Sequence, residues 1–141
     1  MIEIESRELA DIPVLHAYPV GQKDTPLPCA IFYHGFTSSS LVYSYFAVAL
    51  AQAGLRVIMP DAPDHGSRFS GDAARRLNQF WQILLQSMQE FTTLRAAIAE
   101  EKWLLDDRLA VGGASMGAMT ALGITARHPT LKCTASMMGS G

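Results

Sequence analysis

The chain has 141 residues, enough for one domain with its own core, and 49% of them are hydrophobic, far too many for a disordered chain. Eleven basic and thirteen acidic residues leave a formal charge of −2 and are interspersed along the sequence, so no basic stripe is offered to nucleic acid or anionic lipid. The first eight residues are charged at every second or third position and no apolar run is long enough to span a bilayer, which predicts a cytoplasmic protein with no membrane partner.

Two alternating segments, Ile2 to Leu9 and Ile12 to Tyr18, flank Asp11 and predict an antiparallel hairpin, followed by a polar loop from Gly21 to Pro28. Cys29 to Tyr33 is a continuous apolar run of strand length, ended by His34-Gly35. The hydroxyls of Ser38, Ser39 and Ser40 suit a helix start. Apolar residues then fall at Val42, Phe46, Ala49, Leu50 and Ala53, and Gly54 suits the helix end. Leu55 to Met59 is a second central strand, stopped by Pro60 and opening onto Asp61 to Arg68, a loop rich in turn formers.

From Ala73 to about Glu101 the apolar positions Leu77, Phe80, Leu84, Met88, Phe91, Leu94 and Ile98 keep helical spacing, over a length that suggests a bend or two pieces, with Thr92-Thr93 a candidate break point. Leu109 to Gly112 is a third central strand, Met116 to Ala126 a helix, and Cys133 to Met138 a fourth central strand. This alternation implies an α/β fold with a mostly parallel sheet behind an N-terminal antiparallel hairpin. Cys29 and Cys133 each lie in an apolar strand and read as reduced core thiols, with no spacing that suggests a metal site.

Gly113-Ala114-Ser115-Met116-Gly117 matches G-x-S-x-G between a predicted strand and a predicted helix. A nucleophile held on so tight a corner needs a strained backbone, and side chains two residues either way would collide, hence glycine at 113 and 117. The corner also sets Ser115 at a helix N-terminus, where free amides favour negative charge. The Met116 N–H is then one oxyanion donor. The loop after an earlier strand should supply a second, and His34-Gly35-Phe36 stands there, with the Phe36 N–H as donor.

Taken together, His34-Gly35-Phe36, the helix ending at Gly54, the run from Pro60 to Gly66 and the 113–117 motif resemble the α/β-hydrolase superfamily. The likeness is to bacterial carboxylesterases near the dienelactone-hydrolase and prolyl-oligopeptidase-like groups. It implies Ser115 as nucleophile, Phe36 and Met116 as backbone oxyanion donors, and His34, Gly35, Gly113 and Gly117 as their support. It also implies a small-molecule ester substrate and neither metal nor organic cofactor. The family order is serine, then acid, then histidine, yet no acidic residue follows Asp107 and the one later histidine is His128. Residues 1–141 are therefore expected to be the N-terminal part of a single α/β-hydrolase domain, cut after about the sixth strand. Such a piece should be nearly inactive and prone to edge-to-edge association.

His128 stands at the far end of the predicted helix, roughly 15–20 Å from Ser115 at 1.5 Å per residue, beyond reach as a general base. Followed by Pro129, it reads as a helix terminator. His34 reads as scaffold, and His65 as either a pocket-lining residue or a tie for its loop. Asp61 and Asp64 read as loop aspartates bonded to nearby amides. Met116, Met119, Met137 and Met138 read as core before acyl-chain lining, and Trp81 and Trp103 as packing residues. Two other functions compete: a non-catalytic module that keeps the fold, and a dinucleotide-binding protein. Gly112-x-Ala114-x-x-Gly117 is a near miss for the latter, without the middle glycine or a following acidic residue.

Overall fold

The computed structural model describes residues 1–128, 131 and 133–137, the last five for their backbone alone. Strands β1 (Ile2–Leu9) and β2 (Ile12–Pro19) form the expected antiparallel hairpin. Its turn, Ala10-Asp11, is left-handed at both residues, with φ of 49° and 66°. That geometry matches the twist of the flanking strands. Strands β3 (Leu27–Tyr33), β4 (Arg56–Pro60), β5 (Leu104–Ala114) and β6 (Cys133–Met137) complete a six-stranded sheet in the order β1-β2-β4-β3-β5-β6. The last four pair in parallel, and β2 joins them antiparallel along β4.

Strand β5 starts earlier than the apolar run suggests. Leu104 pairs with Leu27, a bulge carries Asp106 and Asp107 at φ of 52° and 56°, and the ladder resumes at Leu109 opposite Cys29. Aspartate tolerates the left-handed region better than most residues, so the extra turn is accommodated there.

Helices α1 (Ser44–Gln52), α2 (Ala73–Leu77), α3 (Phe80–Glu100) and α4 (Met116–Arg127) cover the sheet. On one face, α3 and α4 bury Phe91, Leu94, Ile98 and Ile124 against Ile31, Ile58 and Val111. The other face is closed by α1, whose Ala47 and Ala51 pack on Val57, Met59 and Phe32. Small side chains let this helix lie close to the strands. Both faces are thus dry, as near-continuous apolar strands require.

Three expectations are corrected. The serine cluster does not cap α1, which begins at Ser44 behind Tyr43 with no side-chain capping bond. Instead the Ser39 hydroxyl accepts from the Val42 N–H in the preceding turn. The buried face of α1 is consequently rotated toward Ala47 and Ala51, leaving Val42, Ala49 and Ala53 exposed. The long helical segment breaks at Asn78-Gln79, and Thr92-Thr93 lies inside unbroken α3. Asp72 caps α2 by accepting from the Arg75 N–H at 2.9 Å, and the interruption takes Leu77 out of phase with α3, so it stands exposed. Trp103 is buried as expected, whereas Trp81 is 61% exposed and touches Phe80 edge-on.

The hairpin also carries a polar core that the sequence did not announce. Arg56, on a central strand, is wholly buried, and a buried guanidinium must be bonded to be tolerated. It donates to His16 Nε2 at 2.8 Å and to the Thr25 carbonyl at 2.6 Å, and stacks 4.8 Å from the Trp103 ring centre. His16 Nδ1–H in turn donates to Glu5 at 2.7 Å. Cys29, nearby, is a free buried thiol whose pKa burial pushes up to about 12; the Cys133 thiol lies outside the described residues.

Phe91 is fully buried at the middle of α3 and meets α4 at His128, with ring centres 5.0 Å apart. Truncation to Phe91→Ala should lower unfolding free energy by about 3–5 kcal/mol, read as a shift of the urea midpoint at unchanged m-value.

Candidate active site

The strand order sets the site. Because β3 lies between β4 and β5, the loop leaving β3 is flanked by the loop leaving β4 and by the corner after β5. Tyr33, last in β3, pairs with Gly113, so the residues after each run side by side at the carboxyl end of the sheet, where open α/β sheets bind ligands.

Ser115 occupies the corner between β5 and α4 with φ 58° and ψ −121°, a conformation costing a non-glycine residue of order 1–3 kcal/mol. Its surroundings explain why it persists. A Cβ on Gly113 would run into the Gly117 backbone, and one on Gly117 into the carbonyls of Tyr33 and His34. Both glycines are therefore fixed by backbone against backbone, which no rotamer can relieve. At Gly113 the clash is between strand β5 and helix α4, and at Gly117 it is with the neighbouring strand β3. Ser115 itself is exposed, while Ala114 and Met116 on either side are buried.

Gly35 brings the β3 loop onto this corner. A Cβ there would stand 3.4 Å from Ser115 Cβ and 2.8 Å from the Tyr43 hydroxyl, so any larger residue would have to displace the tyrosine. The Ser38 N–H closes a turn onto the Gly35 carbonyl at 3.2 Å, with Phe36 and Thr37 at its centre. The Phe36 ring packs 5.0 Å from Phe80 and 5.4 Å from His65. At the head of α4, the Met116 N–H is among the amides that have no carbonyl four residues back inside the helix.

His34 is bonded at both ring nitrogens, and these bonds define its tautomer. Nδ1–H donates to the Gly35 carbonyl at 2.8 Å and Nε2 accepts from the Ala62 N–H at 3.0 Å. In a trans peptide the C=O and N–H point oppositely, so holding the Gly35 carbonyl fixes the Phe36 N–H as well. His65, which the sequence left open, ties its loop: Nδ1–H donates to the Pro63 carbonyl at 2.9 Å and Nε2 accepts from the Thr37 N–H at 2.8 Å. Asp61 accepts from the Ser40 N–H at 2.9 Å and from the Ser67 hydroxyl at 3.1 Å, and Asp64 from the Ser70 N–H at 2.7 Å. Both aspartates thus bond backbone amides of the surrounding loops.

His128 ends α4 against Phe91, so each of the four histidines is engaged away from Ser115. Met116 and Met119 pack into the core beneath the helix; Met137 and Met138 have side chains outside the described residues, as does the Pro129 that follows His128. No helix is long and apolar enough to cross a membrane, and no group of three or more His, Cys, Asp or Glu is placed to hold a metal ion, among the described residues. Sequence reasoning missed Tyr43 and the reciprocal bonds of His34 and His65. Only the requirement for glycine at 35 hinted at the tyrosine.

A mostly parallel sheet with helices on both faces and a serine at a strained strand-to-helix corner is the α/β-hydrolase architecture. The structure of TT1662 from Thermus thermophilus shares it with a TM-score of 0.77 at 23% identity, over 100% of this chain and 58% of that one. A cold-adapted esterase from an Arctic intertidal metagenomic library does so with 0.70 at 22%, over 96% and 59%. The chain belongs to the serine aminopeptidase S33 family, matched over residues 25–140. It is 97% identical over 141 residues to Esterase YjfP of Escherichia coli (strain K12). It spans 57% and 55% of the lengths of the two curated relatives it matches end to end.

Two measurements test this geometry. Ser115→Gly relieves the left-handed backbone but loosens the unfolded chain, and the net should be a gain of about 1 kcal/mol in unfolding free energy, read by urea titration. Stability should also depend on acid. Burial lowers the pKa of His16 to about 4 and is the main cause lowering His34 and His65. The charged groups facing these rings are Glu5, Arg56 and Arg7 at His16, Asp61 at His34, and Arg76, Asp64 and Asp61 at His65, with His34 and His65 facing each other. With folded values below the ordinary value of about 6.5, the unfolded chain takes up protons first. The stabilisation is full above about pH 6.5 and is lost as pH falls through the folded values. Urea midpoints should be level from pH 8 to 7 and fall steadily below 6.5; a level midpoint down to pH 5 would contradict the neutral, amide-accepting rings.

Proposed function

We propose that the full-length protein hydrolyses carboxylic esters through an acyl-enzyme on Ser115. The observation that carries this reading is the exposed Ser115 at φ 58° on the corner between β5 and α4, with Gly35 of the β3 loop against it. Here the hydroxyl attacks the ester carbonyl, and the N–H groups of Phe36 and Met116 receive the charge that develops on the carbonyl oxygen. Each such donor typically supplies a factor of about 10²–10³ in turnover. Likeness to a protein named an esterase at 97% identity supports the choice of esters.

Acid and base come, in this reading, from sequence beyond the 141 residues. All four histidines here are bonded or packed elsewhere, and the family order places both groups after the nucleophile. A non-catalytic module with the same fold is the competing reading. The two differ in whether the Ser115 hydroxyl is activated.

A fluorophosphonate probe on the full-length protein should label Ser115 within minutes, and Ser115→Ala should abolish both labelling and hydrolysis of a short-chain nitrophenyl ester, by at least about 10³-fold. Turnover that survives the substitution would refute the assignment.

A further inference from the structure

We propose that Tyr43 is a specificity-determining residue: its phenol forms the wall on the α1 side of Ser115 and excludes esters that branch at the atom next to the carboxyl group. The proposal rests on the assignment of Ser115 above and adds to it the shape of substrate that the corner accepts.

Two distances place the phenol. The point where a β-carbon of residue 35 would stand lies 3.4 Å from Ser115 Cβ and 2.8 Å from the Tyr43 hydroxyl. The tip of the tyrosine therefore fills space beside the nucleophile that Gly35 leaves empty. Ser115 is exposed and Tyr43 is half-buried, so the ring borders the volume in which an ester bound at Ser115 must sit. The hydroxyl has no hydrogen-bond partner among the described residues, and what the side chain brings to the corner is bulk.

That bulk is held in place from two directions. The Tyr43 ring lies 15° from parallel with Phe46, and Phe46 stacks with ring centres 4.4 Å apart on Phe32 of β3, the strand whose end leads into Gly35. The Tyr43 N–H donates to the Ser40 carbonyl at 3.1 Å, and the Ser40 N–H is itself fixed on Asp61 at 2.9 Å. With the carbonyl oxygen of the ester turned to the Phe36 and Met116 amides, the acyl and alcohol groups spread to either side of Ser115, and one of them meets this ring. A linear chain sets a single methylene there and turns away. A tertiary carbon brings three methyl groups, which a stacked ring accommodates only by leaving its rotamer.

The test uses the full-length protein and compares ratios of kcat/KM, so that the intrinsic reactivity of each ester cancels between variants. One series sets nitrophenyl pivalate against nitrophenyl acetate, and the other tert-butyl acetate against ethyl acetate. In the series whose branched group faces the ring, Tyr43→Ala should raise the branched-to-linear ratio by about tenfold or more, with Tyr43→Phe and Tyr43→Leu graded between it and wild type by volume. The ratio of nitrophenyl octanoate to acetate should move by less than about threefold, because a linear chain passes the wall. In that same branched series the wild-type enzyme should disfavour the branched ester about tenfold more than hydroxide ion does, a readout that stands even if every variant unfolds. A wild-type enzyme as tolerant of both branched esters as hydroxide would overturn the proposal. So would a Tyr43→Ala enzyme with both ratios unchanged, or a Tyr43→Phe enzyme as relaxed as Tyr43→Ala, since the hydroxyl and not the wall would then decide. If Ser115→Ala retains turnover, the nucleophile assignment fails and the role of Tyr43 falls with it.

Discussion

Backbone meeting backbone at Gly117 is the contact on which the rest depends. Helix α4 can start immediately after β5 only if its first turn lies against the end of β3, and the carbonyls of Tyr33 and His34 leave no room there for a β-carbon. That approach tightens the corner, forces Ser115 into a left-handed backbone, and aligns it with the loop after β3. Strain at one residue is thus sustained by the packing of a helix with a buried face from Met116 to Ile124, a far larger source of free energy than the strain itself.

The loops over the sheet are held by a different economy, one of neutral donors and acceptors. His34 and His65 each give one ring proton to a carbonyl and take one amide proton across the gap between the β3 and β4 loops. Each imidazole can bridge in this way only while uncharged, because protonation turns its acceptor into a donor. At the hairpin, by contrast, a permanent charge is buried. The two terminal nitrogens of Arg56 are bonded through His16 to Glu5 and to two carbonyls while its buried Nε has no partner, and the guanidinium stacks on Trp103. One cluster positions the loops of the proposed active site; the other joins the hairpin to the parallel part of the sheet.

Membership of the serine aminopeptidase S33 family rests on residues 25–140, which take in every element from β3 to β6 and omit the hairpin. The part matched is the part that builds the corner and its flanking loops. The hairpin extends the sheet along β4 and shelters its edge.

What the sequence determined by itself was whatever depends on neighbours along the chain. Alternation gave the hairpin to within one residue, because the side-chain period in a strand is two and Ala10-Asp11 is a turn in its own right. Continuous apolar runs located the central strands, and two glycines around a serine marked the corner, since close approach can be inferred from the absence of side chains. Where propensity is weak, the pattern misled. The serines before α1 have hydroxyls suited to capping, but the chain turns again before the helix begins, and the helix break falls at Asn78-Gln79, after the short, unburied α2, rather than at the paired threonines. Only the tertiary structure decided the strand order that sets β3 between β4 and β5, and with it which loops meet. It also decided the partners of His34, His65 and Arg56, since hydrogen bonds between residues 28 and 40 positions apart leave no periodic trace in the chain that makes them.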